Sequence, residues 1–411
     1  MNEVSFVQSP QSPSSGSSAC DLRVRLGRRF RKQQEFSAGY SPLYSRLFGL
    51  VADWLAADPG DDPLADWLVQ AGAGRSSFDV PLLLLAGLHR DILNGRPETA
   101  ELAHYYPTLQ GTRFIDDGLA LCLRAAVAAR QKALAEFIAT ARVQTNETAR
   151  GLCWLLPASM TGWPALHLVD LGASAGLNLV ADRRHFRVID GSEGHTLLEL
   201  GSDVPPQFTV RSEGMPMPPL QAVCPAIRSR IGCDLTPLIL NAPVEEQTLA
   251  AFVWGDHPER LRQLRAGIAA LHSVNRSQSP VSLFKADLPV DLPPFLADRV
   301  DRLTGSPVIL YNTYLTAYLA DKGAALRSIV EAWASQHPWP VLWLQWEPLR
   351  DGPAPPEFGW LGWTADLWED GQHRHWHLAW AHPHGTRIAW MPAMADWLAC
   401  WRKRRQQNDR W

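Results

Sequence analysis
Apolar residues in the first third of the chain recur at three- and four-residue spacing, the period of a helix with one buried face. The pattern runs through residues 41–58 (SPLYSRLFGLVADWLAAD), 81–95 (PLLLLAGLHRDILNG) and a long stretch, 116–157, from Asp116 and Asp117 to Pro157. Acidic residues at its start suit the positive end of a helix dipole, so the spacing predicts a helix over that stretch. The rhythm then changes. ALHLVDLG (165–172) is an unbroken apolar run between Pro164 and Gly172, the mark of a buried strand. A helical pattern follows it (GLNLVADRRHF, 176–186). Strand-like runs then recur in AIRSRIGCD, VSLFK, PVILYNTYL and PVLWLQWEP. Helical patterns separate them at 245–274, broken near Gly255–Pro258, and at 295–305 and 316–336. Residues 362–391 alternate around an Asp-Gly turn and predict hairpins.

Strands alternating with helices predict an α/β fold: a mostly parallel sheet with helices on both faces and an antiparallel C-terminal hairpin, preceded by an all-helical N-terminal domain. The boundaries read as a Ser/Pro-rich disordered tail over 1–21, the helical domain over 22–160, the α/β domain over 161–395 and a basic C-terminal tail over 396–411. Residues 187–225 read as an insertion of short strands, LLEL and QFTV, between Gly/Pro/Ser turns.

Composition narrows the function classes. The 411 residues are 46% hydrophobic with a net charge of -3, so charge alone excludes a strongly basic nucleic-acid binder and no nucleic-acid partner is expected. The 18 Trp are ascribed to core filling, since aromatic rings bury the most area per residue. Six Cys without a C-x-x-C pair fit a reducing compartment, and no apolar stretch has the length of a membrane span. The N-terminus lacks the basic and apolar regions of a signal peptide, so a cytoplasmic protein off the membrane is expected.

The sharpest chemical signal is Asp170-Leu171-Gly172-Ala173-Ser174-Ala175-Gly176-Leu177-Asn178, between a predicted strand and a predicted helix. In open parallel sheets ligands bind beyond the carboxyl ends of the strands, and small residues there let the backbone come close. The D-x-G-x-S-x-G pattern resembles the first motif of class I S-adenosylmethionine-dependent methyltransferases, with Ser174 where a middle glycine is usual. The resemblance implies a Rossmann-like sheet and S-adenosyl-L-methionine as cofactor. It further implies an acid after the second strand for the ribose, matched by Asp234, and one near the adenine, matched by Asp287. Over the reaction centre it implies residues from the fourth strand, matched by Asn312 and Tyr314. Residues 28–390 also resemble the bacterial domain-of-unknown-function family 2332, through SPLYSRL, AHYYP, RVQTNET, VDLGASAGLNL and GCDLTP; that family name implies no activity.

RVQTNET puts Gln144, Thr145, Asn146 and Glu147 together on what reads as a helix before the first strand. These polar groups need partners if buried, and Gln144, Asn146 and Glu147 are candidates for the amino-acid end of the cofactor. An acceptor that must lose a proton needs a base, for which Glu347, His257 and Asp256 are candidates. The substrate class expected is a small molecule. Two other readings compete. Gly172-Ala-Ser174-Ala-Gly176 also fits the G-x-S-x-G elbow of α/β-hydrolases, with Ser174 as nucleophile and His382 or His384 as base. A non-catalytic binding protein is the third class. His373, His375 and His377 alternate on one predicted strand face; with no carboxylate partner evident, a solvated face is favoured over a metal site.

Overall fold
A computed structural model describes residues 19–144, 147–202, 208–214, 223–349 and 351–408. The described residues divide into a helical unit, 19–144 with 240–262, and an α/β unit, 147–239 with 263–408. Residues 240–262, expected within the α/β domain, therefore belong to the helical unit. The reason is in their side chains: Trp254 stacks on Tyr44 with ring centroids 5.0 Å apart, and the Asp256 carboxylate accepts hydrogen bonds from Ser41 Oγ and the Leu43 amide. Asp256 and His257 thus serve the helical unit, where His257 also stacks on Tyr40.

The helical unit is built on the helices Ala19–Ser37, Pro42–Ala56, Pro63–Ala71, Asp79–Leu93 and Gly118–Thr140. Ser41 and Asp62 cap the second and third through their side chains, and a proline follows each cap. The long predicted helix ends at Thr140; residues 141–144 are extended, so Gln144 does not lie on a helix. Residues Thr148–Gly151 then form a 3₁₀ turn capped by Glu147, followed by the helix Leu152–Thr161. Asn146 lies outside the described residues.

The α/β unit carries a single eleven-stranded sheet. Its strands are β1 Ala165–Leu171, β2 His185–Asp190, β3 Thr196–Gly201, β4 Phe208–Glu213, β5 Ala226–Asp234, β6 Val281–Lys285, β7 Val308–Thr313, β8 Val341–Glu347, β9 Leu361–Glu369, β10 Gln372–Ala381 and β11 Arg387–Trp390. The sheet order is β3-β2-β4-β11-β10-β9-β8-β7-β1-β5-β6. Strands β6, β5, β1, β7 and β8 are mutually parallel, and β9, β10 and β11 continue antiparallel. The chain runs outward from β1 in one direction and, from β7, in the other, so the order reverses between β1 and β7. In doubly wound sheets that reversal opens a crevice at the strands' carboxyl ends.

The short strands expected over 187–225 extend the same sheet: β2 to β4 form its far edge, with β4 parallel to β11. The helical pattern after the glycine turn yields only a 3₁₀ segment, Leu177–Arg183, because Arg184 turns inward. Its guanidinium, fully buried, donates to the carbonyls of Thr148 and Leu177 and faces the Phe208 ring. Much of the segment 396–411, expected as a tail, lies in the helix Ala393–Asn408, with Trp397 and Trp401 buried. Trp397 meets Trp376 edge-on at 5.2 Å, and its indole N–H points at Met160 Sδ. Trp154, Trp343, Trp346 and Trp363 are also fully buried, so these rings do fill core.

Candidate functional site
Side chains alternate across a strand, so β1 divides cleanly between the two faces of the sheet. Leu166 and Leu168 enter one core with the helix Leu152–Thr161, and Val169 and Leu171 enter the other. Asp170 falls on the Leu168 face and is buried. Its register partner on β7 is Tyr311, whose hydroxyl donates to Asp170 Oδ2 at 2.7 Å. Burial pushes the Asp170 carboxyl up to about 7; the Tyr311 hydroxyl pulls it down and the nearby Asp234 charge pushes it further up.

Beyond Leu171 the chain makes the glycine turn. Gly172, Ser174 and Gly176 all have positive φ (85°, 49° and 74°), a conformation glycine adopts freely and serine rarely. Gly172 and Ala173 donate their amides to the Cys233 carbonyl at the end of β5. The Ser174 amide donates to Asp234 Oδ2 at 2.9 Å, and the Thr236 amide to Asp234 Oδ1 at 2.9 Å. Asp234 therefore pins the turn from the neighbouring strand, and its half-buried carboxylate keeps lone pairs for a further donor. Gly232 lets the turn come down on β5: a Cβ there would lie 2.5 Å from Ala173 Cβ. Asn178 follows, with its amide nitrogen toward the Glu147 carbonyl and its buried Oδ1 unpartnered. Asp287 is exposed past the end of β6, where its amide is held by Asp291.

Asn312 and Glu347 lie on the other face from Asp170. Both are buried, and their polar atoms are used inside the chain. Asn312 donates to Glu347 Oε1 at 2.7 Å and accepts from the Trp343 indole at 2.7 Å. Glu347 also accepts from the Leu315 amide, the Thr316 amide and the Thr316 hydroxyl. Burial raises the Glu347 carboxyl and those donors oppose it, with a net upward shift. Together they tie down the turn after β7, so both serve to position that turn. That turn carries Tyr314 at φ 58° and sets Leu315 against Gly172.

Arg150 at this end of the sheet escapes a reading by local motif, as does the partner of His384. Arg150, on the 3₁₀ turn before the Leu152–Thr161 helix, is only 4% exposed; it donates through Nε to the Pro383 carbonyl and lies over the Tyr314 ring at 5.2 Å. Next to Pro383, His384 Nδ1 is 2.9 Å from Glu147 Oε2. A Cβ at Gly385 would lie 2.7 Å from Ala149 Cβ, so the turn between β10 and β11 sits tightly on the 147–151 segment. His382, the other histidine of that turn, faces Thr386 through Nδ1; burial and the neighbouring His384 bring its pKa down to about 4. Of the predicted polar cluster, Glu147 thus joins the site, while Gln144 belongs to the helical unit.

The hairpin histidines have a partner after all. His373 Nε2 and His375 Nδ1 both reach Asp366 Oδ1, at 3.0 and 2.8 Å, and Arg327 stands 3.6 Å from Oδ2. Burial would raise the Asp366 carboxyl; the hydrogen bonds from His375 and His373 and the Arg327 charge bring it below the usual range instead. His377 turns away to the Ala379 carbonyl. Among the described residues no group of three or more His, Cys, Asp or Glu is arranged to hold a metal.

Residues 27–390 match the profile of a family described as an uncharacterized protein conserved in bacteria (DUF2332). The chain belongs to that family. No curated protein matches it. In this member of family 2332, the SPLYSRL piece supplies the Ser41 cap and the Tyr44 ring that receive the returning segment 240–262. Its VDLGASAGLNL and GCDLTP pieces supply the glycine turn and the Asp234 that pins it. No helix among the described residues is long and apolar enough to cross a membrane.

Proposed function
We propose that the α/β unit is a Rossmann-like, methyltransferase-type domain that binds S-adenosyl-L-methionine and transfers its methyl group to a small molecule. The observation that carries this reading is the pinned turn. Three positive-φ residues stand at the carboxyl end of the central strand, where the strand order reverses, and an acid from the adjacent parallel strand holds the middle one, Ser174, by its amide. The residues present fit the cofactor. Asp234 retains acceptor capacity for ribose hydroxyls, and the orphaned, buried Oδ1 of Asn178 would take a donor such as the ammonium of its amino-acid end. Glu147 and Asp287 flank these groups in the chain's own framework.

When bound, the cofactor supplies an activated methyl on a sulfonium. The protein's own contribution is orientation, since an electrophile of that strength needs chiefly proximity. Where the acceptor must shed a proton, His384 is the base: Glu147 fixes its proton on Nδ1 and leaves Nε2 basic. Asn312 and Glu347 hold the Tyr314 turn in place beside it.

The same His384–Glu147 pair supplies the base and the acid that a second reading, a serine hydrolase using Ser174, requires. Calorimetric titration with S-adenosylmethionine and S-adenosylhomocysteine decides. Micromolar binding, weakened at least tenfold in Asp234→Ala and kept in Ser174→Ala, is expected. No binding of either compound, with ester hydrolysis that vanishes in Ser174→Ala, would overturn the methyltransferase reading.

A further inference from the structure
A guanidinium buried to this degree normally spends its donors on carboxylates or carbonyls, because leaving them unmet costs free energy. Arg150 spends one. Its Nε donates to the Pro383 carbonyl at 3.0 Å, and no carboxylate oxygen among the described residues lies within ion-pair distance. Its two terminal nitrogens have no hydrogen bond among the described residues, and they are not among the polar atoms sealed from solvent. The fork therefore keeps a small contact with solvent, while the rest of the side chain is fixed. The fixing is thorough: the Tyr314 ring lies under the guanidinium, the Pro383 carbonyl holds one edge, and the 148–151 turn that carries Arg150 is anchored by Arg184 through the Thr148 carbonyl. Such a donor pair is preorganised for an oxyanion.

We propose that Arg150 is the subsite for a carboxylate on the methyl-accepting substrate, so that the acceptor is an anionic small molecule; this rests on the methyltransferase reading for the word acceptor, though not for the subsite. Placement argues for the acceptor. Arg150 lies over Tyr314, at the end of β7, and beside the β10–β11 turn. Of the residues assigned to the cofactor, Asp234 and Asp287 stand at the ends of β5 and β6, on the opposite side of β1, and only the amino-acid end, at Asn178 and Glu147, comes toward Arg150. Charge argues for a carboxylate over a phosphate: with the negative charges of Glu147 and Glu347 also felt at Arg150, each added negative charge is less well balanced, so a singly charged carboxylate fits better than a doubly charged phosphate. The His384–Glu147 pair adjoins Pro383, which places a base next to the anchored substrate.

The test uses the full chain with benzoate and inorganic phosphate as probes, each titrated by ligand-observed NMR with and without saturating S-adenosylhomocysteine. The variants are Arg150→Met, which removes the charge at similar length, and Arg150→Lys, which keeps the charge without the fork. Expected is saturable benzoate binding, at least tenfold weaker in Arg150→Met and intermediate in Arg150→Lys, with S-adenosylhomocysteine affinity unchanged within threefold. Phosphate binding in preference to benzoate overturns the carboxylate assignment. A parallel loss of S-adenosylhomocysteine affinity in Arg150→Met means the anion is the cofactor's own, which overturns the acceptor subsite and leaves the cofactor reading standing. If the unaltered chain binds no S-adenosyl compound, the methyltransferase reading fails, and benzoate binding that depends on Arg150 still upholds the carboxylate subsite. Should Arg150→Met fail to fold, Arg150→Lys carries the comparison; benzoate binding equal to that of the unaltered chain would then count against the fork.

Discussion
Asp170 offers the sharpest check on the electrostatics of the site. It sits on the central strand, 3% exposed, with the Tyr311 hydroxyl as its hydrogen-bond donor. Its carboxyl titrates near 7 in the folded chain because burial disfavours the ion. The unfolded chain ionises the same group near pH 4. Between those values the unfolded state has released the proton and the folded state still holds it, so folding stability falls as pH rises from about 4 to about 7 and levels off above. The perturbation is Asp170→Asn, which keeps the shape, still accepts from Tyr311 through its amide oxygen and cannot ionise. Linkage with those two pKa values makes the advantage of the Asn variant grow by about 2–3 kcal/mol between pH 5 and pH 8. Urea unfolding at both pH values measures it, followed by emission from the tryptophans, most of which lie in the α/β unit. A difference between the two chains that stays constant with pH, within about 0.5 kcal/mol, or that shrinks as pH rises, would refute the assignment of a neutral Asp170.

Three further substitutions probe the framework. Gly232→Ala puts a methyl 2.5 Å from Ala173 Cβ, so the pinned turn must lift; S-adenosylhomocysteine affinity should drop at least tenfold in calorimetry, and unchanged affinity would show that the turn does not hold ligand. Glu347→Gln turns an acceptor into a donor facing other donors on one side, at a cost of about 2–4 kcal/mol in urea unfolding; a loss under about 0.5 kcal/mol would mean the turn after β7 is held by something else. Asp366 has its carboxyl held below the usual range, so its contribution is present above pH 4 and fades as pH falls further. Asp366→Asn should cost about 1–3 kcal/mol at pH 7 and progressively less below pH 4, and a deficit that does not shrink with acid would refute the pairing with His373 and His375.

What could be read in advance was whatever one strand or one turn encodes by itself. The run 165–171, the small residues after it and the acid ending GCDLTP are local patterns, and the strand, the turn and Asp234 stand where those patterns place them. The partner of the hairpin histidines was within reach of the same logic: pairing back from the Asp370–Gly371 turn sets His375 opposite Asp366. The helix expected after the glycine turn failed for a different reason. Its spacing is helical, but Arg184 is drawn into the core by the Thr148 carbonyl, thirty-six residues earlier, together with that of Leu177, and the helical segment stops at seven residues. RVQTNET continues the helical spacing, but the helix ends at Thr140 and Glu147 caps a separate turn that starts at Thr148.

Arg150 was out of reach because nothing local marks it, and Glu147 and His384, each singled out by its own segment, could not be paired from sequence. Glu147 and His384 are 237 residues apart, and Arg150 meets the Pro383 carbonyl across 233. Both contacts exist because the sheet continues from β8 through β9 and β10 to β11, which brings the β10–β11 turn back to the 147–151 segment. The turn's sequence, HPHG, carries two histidines, and only the register of the hairpin separates them. One faces its own turn through Thr386, and the other faces a buried carboxylate from the chain before β1. The chemistry of this site is thus divided by origin. On the proposed reading, the part that would take a cofactor is built from neighbouring parallel strands and is written locally, whereas the part that would take a substrate is assembled from the two ends of the unit. Substitutions at Asp234 and at Arg150 should therefore act on different ligands, and a double substitution should lower the two affinities independently.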